Sequence, residues 1–143
     1  MTDASTPKAW TALFLAWVVA VVASLGVLFI GEVLGQVPCN LCWFQRAFMF
    51  PLAVILSVAT YRGDFGVRVY ALPLAVAGWL VAGFHTLLYV GIIPEEIEPC
   101  GVGPSCSSVD MTILGNIPLP ALSVLAFTVI IACLLPLRRR LPS

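Results

Sequence analysis

The chain has 143 residues, 61% of them hydrophobic and 10% charged, with zero net charge. Soluble domains hold about 45–50% apolar and about 25% charged residues, so this chain cannot cover itself with polar groups in water, and lipid must solvate most of it. The neutral balance also excludes a basic surface for nucleic acid.

Four apolar runs follow in chain order. Trp10 to Gly31 is uncharged and predicts a helix over about 10–34; at about 1.5 Å per residue the run reaches roughly 33 Å, enough for a hydrocarbon core of about 30 Å. A signal peptide is the rival reading, but the apolar part is longer than an h-region and Glu32-Val33-Leu34-Gly35 is a poor cleavage site, so a retained helix is expected. The second helix is expected over about 43–61. It carries Gln45 and Arg46 near its start and Pro51 further in, where a bend is expected. Arg46 can lie near the interface, where a charge costs less than at mid-bilayer. The third helix, about 68–93, holds one ionisable residue within its apolar run, His85. The fourth, about 118–137, holds none and stops at Arg138-Arg139-Arg140. The expected fold is all-α: one domain over 1–143 forming a four-transmembrane-helix bundle.

An even number of spans puts both termini on one side. Lys8, Arg62, Arg68 and Arg138 to Arg140 then share that side, six of the seven basic residues. By the positive-inside rule it is the cytoplasm. Glu32, Glu95, Glu96, Glu98 and Asp110 fall on the other side. So do Cys39, Cys42, Cys100 and Cys106, which places four of the five cysteines in the compartment where disulfides form and persist.

The first pair stands in Pro38-Cys39-Asn40-Leu41-Cys42-Trp43-Phe44-Gln45-Arg46. The thiolate is the reactive form of cysteine, and three features favour it at Cys42: the partial positive charge of a helix start, Arg46 one turn on, and the Cys-x-x-Cys spacing itself. Arg46 has a second possible role. A guanidinium that stays charged in a partly buried site can donate to the carbonyl oxygens of a quinone. A structural disulfide, half of a zinc site, and an Arg46 that only anchors the interface are the plainer alternatives. Haem attachment would need His after the second cysteine, and Trp43 stands there.

The second pair lies in Glu98-Pro99-Cys100-Gly101-Val102-Gly103-Pro104-Ser105-Cys106, an outer loop in which glycines let a partner approach. A loop staple is the bland alternative; the x2 and x5 spacings differ from those of common four-cysteine zinc sites. His85 can bind or protonate a quinone oxygen, or hydrogen-bond a neighbouring helix. Cys133, near the inner end of the fourth helix, reads as a small apolar residue. Gly26, Gly31, Gly78 and Gly83 are expected to allow close helix contacts.

The segment Pro38 to Arg46 resembles the signature of DsbB-type disulfide bond formation proteins, which are membrane thiol–quinone oxidoreductases. The likeness extends to the spans, the second outer pair and Ile117-Pro118-Leu119-Pro120-Ala121-Leu122-Ser123. The short spacing of Cys100 and Cys106 is similar to the compact BdbC-type members; longer members separate this pair widely around a membrane-lying helix that has no counterpart here. The resemblance implies catalytic Cys39, Cys42, Cys100 and Cys106, with Cys42 passing electrons to ubiquinone or menaquinone beside Arg46; His85 is the further candidate quinone contact. It implies a thioredoxin-like, DsbA-type partner that attacks the Cys100–Cys106 disulfide, with Cys100 forming the mixed disulfide, and a site in the bacterial inner membrane with the active cysteines outside. No metal ligand is assigned. A non-catalytic membrane scaffold with two structural disulfides, and a zinc-binding membrane protein, are the competing classes.

Overall fold

A computed structural model describes residues 6–94, 96, 112, 113 and 115–137. Four helices dominate it: α1 (Thr6–Glu32), α2 (Asn40–Arg62), α3 (Arg68–Val90) and α4 (Leu119–Leu134). A 3-10 turn, Phe65–Val67, links α2 to α3. The all-α expectation needs one amendment. Two short strands, β1 (Thr112–Ile113) and β2 (Ile117–Pro118), pair antiparallel with Thr112 opposite Pro118 and Ile113 opposite Ile117. Gly115, at φ 84°, serves the turn between them.

The helix ends follow local chemistry. α2 closes on Gly63 and α3 on Gly91, both in the left-handed region with N–H groups returned to carbonyls of the last turn. Asp64 accepts from the Gly66 N–H and opens the 3-10 turn. α4 starts at the Pro118–Leu119–Pro120 step, where missing N–H groups cost nothing, and stops before Pro136. α2 continues through Pro51 and α3 through Pro73.

Among the described residues, three stretches are long and apolar enough to cross a membrane: Pro7–Glu32, Asn40–Arg62 and Phe65–Val90. α4 is apolar but has 16 residues, about 24 Å of helix against a core of about 30 Å. It is therefore shorter than the expected 118–137, because Pro136 halts the ladder.

The helices form an up-down ring in which α1 packs on α2 and α4, and α3 on α2 and α4. Large side chains fill the centre: Leu13, Leu52, Leu56, Phe127, Ile130 and Leu134. Alanines at 16, 20, 53, 71, 75 and 82 are buried among them, the small-residue packing expected where lipid supplies no hydrophobic drive between helices. Outward-facing Leu25, Phe29, Val54, Val58, Leu80 and Leu125 are exposed, which suits acyl chains and not water. Two indole groups tie helix pairs: Trp17 donates to Ser57 Oγ at 2.6 Å and Trp79 to Thr128 Oγ1 at 3.0 Å.

Of the four glycines expected at close contacts, two are. A Cβ on Gly78 would overlap the Phe127 ring, and one on Gly31 would press on Arg46. Gly26 and Gly83 have nothing within 4 Å of such a Cβ, so the expectation fails for them. At one end of the ring Arg68 donates to the Leu137 carbonyl at 3.0 Å. This joins the start of α3 to the segment after α4 and leaves the start of α2 at the opposite end.

Candidate active site

At that opposite end the chain leaves α1, turns through 33–38 and enters α2. Cys39 is the N-cap, with extended backbone (φ −74°, ψ 170°) and no side-chain cap. The Trp43 N–H closes the first turn on the Cys39 carbonyl at 3.1 Å. The N–H groups of residues 40–42 therefore have no acceptor within the helix, and their partial positive charge gathers at the turn carrying Cys42.

The two sulfurs stand 3.2 Å apart, with the Cys39 thiol donating to Cys42. Cys39 is 1% exposed, while Cys42 is half-buried. Cys39 lies just ahead of the α2 span. Its pKa is pushed from an ordinary value near 9 to about 12, first by the hydrogen bond to Cys42 and then by burial, with His85 pulling the other way. Cys39 therefore holds its proton more tightly than an ordinary thiol.

His85, 1% exposed, comes from α3. Its Nε2 lies 3.8 Å from Cys39 Sγ and its Nδ1 2.8 Å from Gln45 Nε2. With the amide nitrogen donating, Nδ1 accepts, and in that tautomer the ring proton sits on Nε2, toward Cys39. Arg46 sits one turn beyond Cys42. Its Nη2 donates to the Val27 carbonyl of α1 at 3.1 Å, and its guanidinium lies 5.2 Å from the centre of the Trp43 ring. Gly31 makes this seat possible, since a Cβ there would stand 3.3 Å from Nη2.

Between α1, α2 and α4 a cavity of about 240 Å³ opens beside these groups. Val27, Ile30, Met49, Leu122 and Ala126 give it apolar walls, and Cys42, Gln45, Arg46, His85 and Ser123 border it. An apolar slot with a guanidinium, an imidazole and a thiol at one side fits a lipid-soluble ring with carbonyl oxygens.

The structure thus brings together Cys39, Cys42, Arg46 and His85. Cys100 and Cys106 lie outside the described residues, as do Glu95, Glu98, Asp110 and Arg138 to Arg140. Cys133 is partly buried against the core near the far end of α4, away from the site. Sequence reasoning missed Gln45 as a site residue. Its signal was a polar amide inside a membrane span, where a buried group without a partner costs several kcal/mol.

A family model described as disulfide bond formation protein DsbB matches residues 8–137. The chain belongs to the DsbB family. Among curated relatives, a probable disulfide formation protein of Metapseudomonas resinovorans is 58% identical over 132 residues, covering 92% of each chain. Disulfide bond formation protein C of Bacillus subtilis is 41% identical over 86% of this chain and 91% of its own. A probable disulfide formation protein of Deinococcus radiodurans is 42% identical over 87% and 86%. No solved structure matches significantly. The DsbB family comprises membrane proteins of disulfide formation, so a thiol oxidoreductase in a membrane setting is what this chain is. Of the Cys39–Cys42 pair, Cys42 borders the cavity.

Proposed function

We propose that the protein reoxidises a thioredoxin-like, DsbA-type thiol oxidase outside the cytoplasm and passes the electrons to a membrane quinone, ubiquinone or menaquinone. The observation that carries this reading is the Cys39–Cys42 thiol pair, which opens through Cys42 into an apolar cavity bordered by Arg46 and His85.

The proposed cycle runs by thiol–disulfide exchange. The partner's dithiol attacks the Cys100–Cys106 disulfide, with Cys100 forming the mixed disulfide, and leaves oxidised. Cys100 and Cys106, now thiols, reduce the Cys39–Cys42 disulfide and regain their own. A quinone, when bound, accepts two electrons and two protons and so restores Cys39–Cys42. Each turn converts one dithiol to one disulfide.

The chain's own groups divide the work. Cys42 is the thiol that meets the acceptor, because it borders the cavity while Cys39 is buried and donates to it. Arg46, fixed by Val27 and Trp43, offers donors to a ring oxygen. His85, with Nε2 3.8 Å from Cys39 Sγ, offers a hydrogen bond to that sulfur as its proton leaves. The apolar walls exclude water from the thiolate. In the proposed orientation the four helices span the bacterial inner membrane as a single domain, with Lys8, Arg62 and Arg68 at the cytoplasmic end and the cysteine pairs outside.

The test is quinone reduction by the purified protein with a reduced thioredoxin-like partner. Cys42→Ser is expected to abolish turnover. Arg46→Ala is expected to raise the quinone KM about tenfold or more while leaving thiol exchange with the partner intact, as one charge-assisted hydrogen bond is worth about 1.5–3 kcal/mol. Full turnover in Cys42→Ser would overturn the proposal.

A further inference from the structure

Sequence reasoning weighed zinc only as a matter for the cysteines. The fold adds a third ligand from a distant helix. Cys39 Sγ, Cys42 Sγ and a ring nitrogen of His85 all lie within 4.8 Å of one another. The sulfurs are 3.2 Å apart, and Cys39 Sγ is 3.8 Å from His85 Nε2. A tetrahedral zinc ion, with bonds of about 2.3 Å to sulfur and about 2.0–2.1 Å to nitrogen, holds such atoms roughly 3.5–3.8 Å apart. Two edges of the triangle are thus close to ligand spacing, and the third needs a side-chain shift of about 1 Å.

We propose that the reduced Cys39–Cys42 pair and His85 form a redox-gated site for a thiophilic divalent cation of the Zn²⁺ class. Binding exchanges two thiol protons for one metal ion: two thiols and the cation give a bis-thiolate complex and two protons in solution. The two thiolate charges cancel the ion's charge, so the complex carries no net charge into an apolar setting. Cys39 and His85 are shut away from water, and Cys42 borders the cavity, which leaves the fourth coordination position open on that side. Three protein ligands with one open position is the arrangement of zinc sites that admit water or another outside ligand.

Gln45 completes the site. To ligate through Nε2, His85 must carry its proton on Nδ1. The Gln45 amide nitrogen is 2.8 Å from Nδ1, and the side chain accepts a hydrogen bond from that N–H by presenting its oxygen in place of its nitrogen, a rotation within its own side chain. Histidine ligands in proteins commonly donate their second N–H in this way, and losing that partner lowers affinity about 10–100-fold.

The gate is the disulfide. Once Cys39 and Cys42 are joined, neither offers a thiolate, and the triangle loses two of its three ligands. The cation therefore competes with the electron acceptor for the reduced centre and leaves the oxidised one alone. The site needs the thiol pair and His85 but no quinone, so it stands or falls apart from the proposed activity.

The experiment uses the full chain in detergent with Cys100→Ser and Cys106→Ser, which removes the outer thiols. Reduced with a phosphine and given Co²⁺ or Zn²⁺, it is expected to bind one ion per chain. Co²⁺ should show thiolate-to-metal absorption in the near ultraviolet and tetrahedral bands in the visible. The oxidised protein should bind none. Cys42→Ser should abolish the signal, Gln45→Leu should weaken binding about 10–100-fold, and His85→Ala should weaken it at least as much. Absence of one-to-one binding by the reduced protein, equal binding by the oxidised protein, or unchanged affinity in His85→Ala would each overturn the proposal. Should His85→Ala fail to fold, the comparison of reduced with oxidised protein still decides. Partner-driven quinone reduction by the chain that keeps Cys100 and Cys106 separates the two readings, since either can fail while the other holds.

Discussion

At Cys39 and Cys42 two identical side chains three residues apart are made unlike by their surroundings. Cys39 is buried, donates to Cys42 and has its pKa pushed to about 12; Cys42 stands at the helix start and borders the cavity. With the outer pair replaced by serine and the inner pair reduced, alkylation near pH 8 is expected at Cys42. The Cys39 thiolate fraction there is roughly a thousandfold below that of an ordinary thiol, from the rise of about 9 to about 12. Mass spectrometry of the labelled peptides checks this, and first labelling at Cys39 would contradict it. The same shift sets a stability window. Cys39 is a raised group, so its contribution is complete below pH about 9, where the unfolded thiol also keeps its proton, and is lost as pH climbs toward about 12. The melting temperature of the reduced protein should therefore fall across that range, and that of the oxidised protein should not show this loss.

Gly78 faces the Phe127 ring across the α3–α4 contact, with no room for a Cβ. Gly78→Ala is expected to cost about 1–3 kcal/mol by overpacking, read as a lower melting temperature in detergent, with Phe127→Leu in the same chain recovering part of it. Gly83, which meets nothing, is the control: Gly83→Ala should be neutral or slightly stabilising. On α1, Gly31→Val is expected to push the Arg46 guanidinium off its seat at Val27. The quinone KM should then rise toward that of Arg46→Ala without loss of fold, whereas an unchanged KM would show that Arg46 does not depend on that seat. α2 is the element whose boundary hydropathy reads least well. Asn40, Gln45 and Arg46 make its start polar, and the uncharged run opens only at Ala47, yet the helix begins at Asn40 because Cys39 closes the first turn with its carbonyl.

Across the whole molecule, the Arg68–Leu137 contact puts the α2–α3 turn and the segment after α4 at one end, and the thiol pair at the other. Tyr61, 93% exposed, marks the first end and exposed Leu34 the second. In a chain otherwise lacking cysteine, Leu34→Cys is expected to react with a membrane-impermeant thiol reagent in intact cells, and Tyr61→Cys only after lysis. The reverse pattern would invert the proposed orientation.

Hydropathy along the chain was enough to read four apolar segments and a membrane setting, and Pro38 to Arg46 was enough to read a thiol pair at a helix start with a guanidinium one turn on. These are local properties, set by composition over one helix length or by residues within a turn of each other. Packing is not local. α1 and α4 are apolar all round, so nothing in their sequences says that Leu13, Ala16 and Ala20, or Phe127 and Ile130, face inward. Nor could hydropathy show that Gly78 and not Gly83 meets a neighbour, or that Pro136 ends α4 about 6 Å short of a full crossing. His85 could be singled out as an ionisable group in a span. That its Nε2 reaches Cys39 while its Nδ1 meets Gln45 depends on how α2 and α3 are rotated against each other, and only the assembled helices fix that.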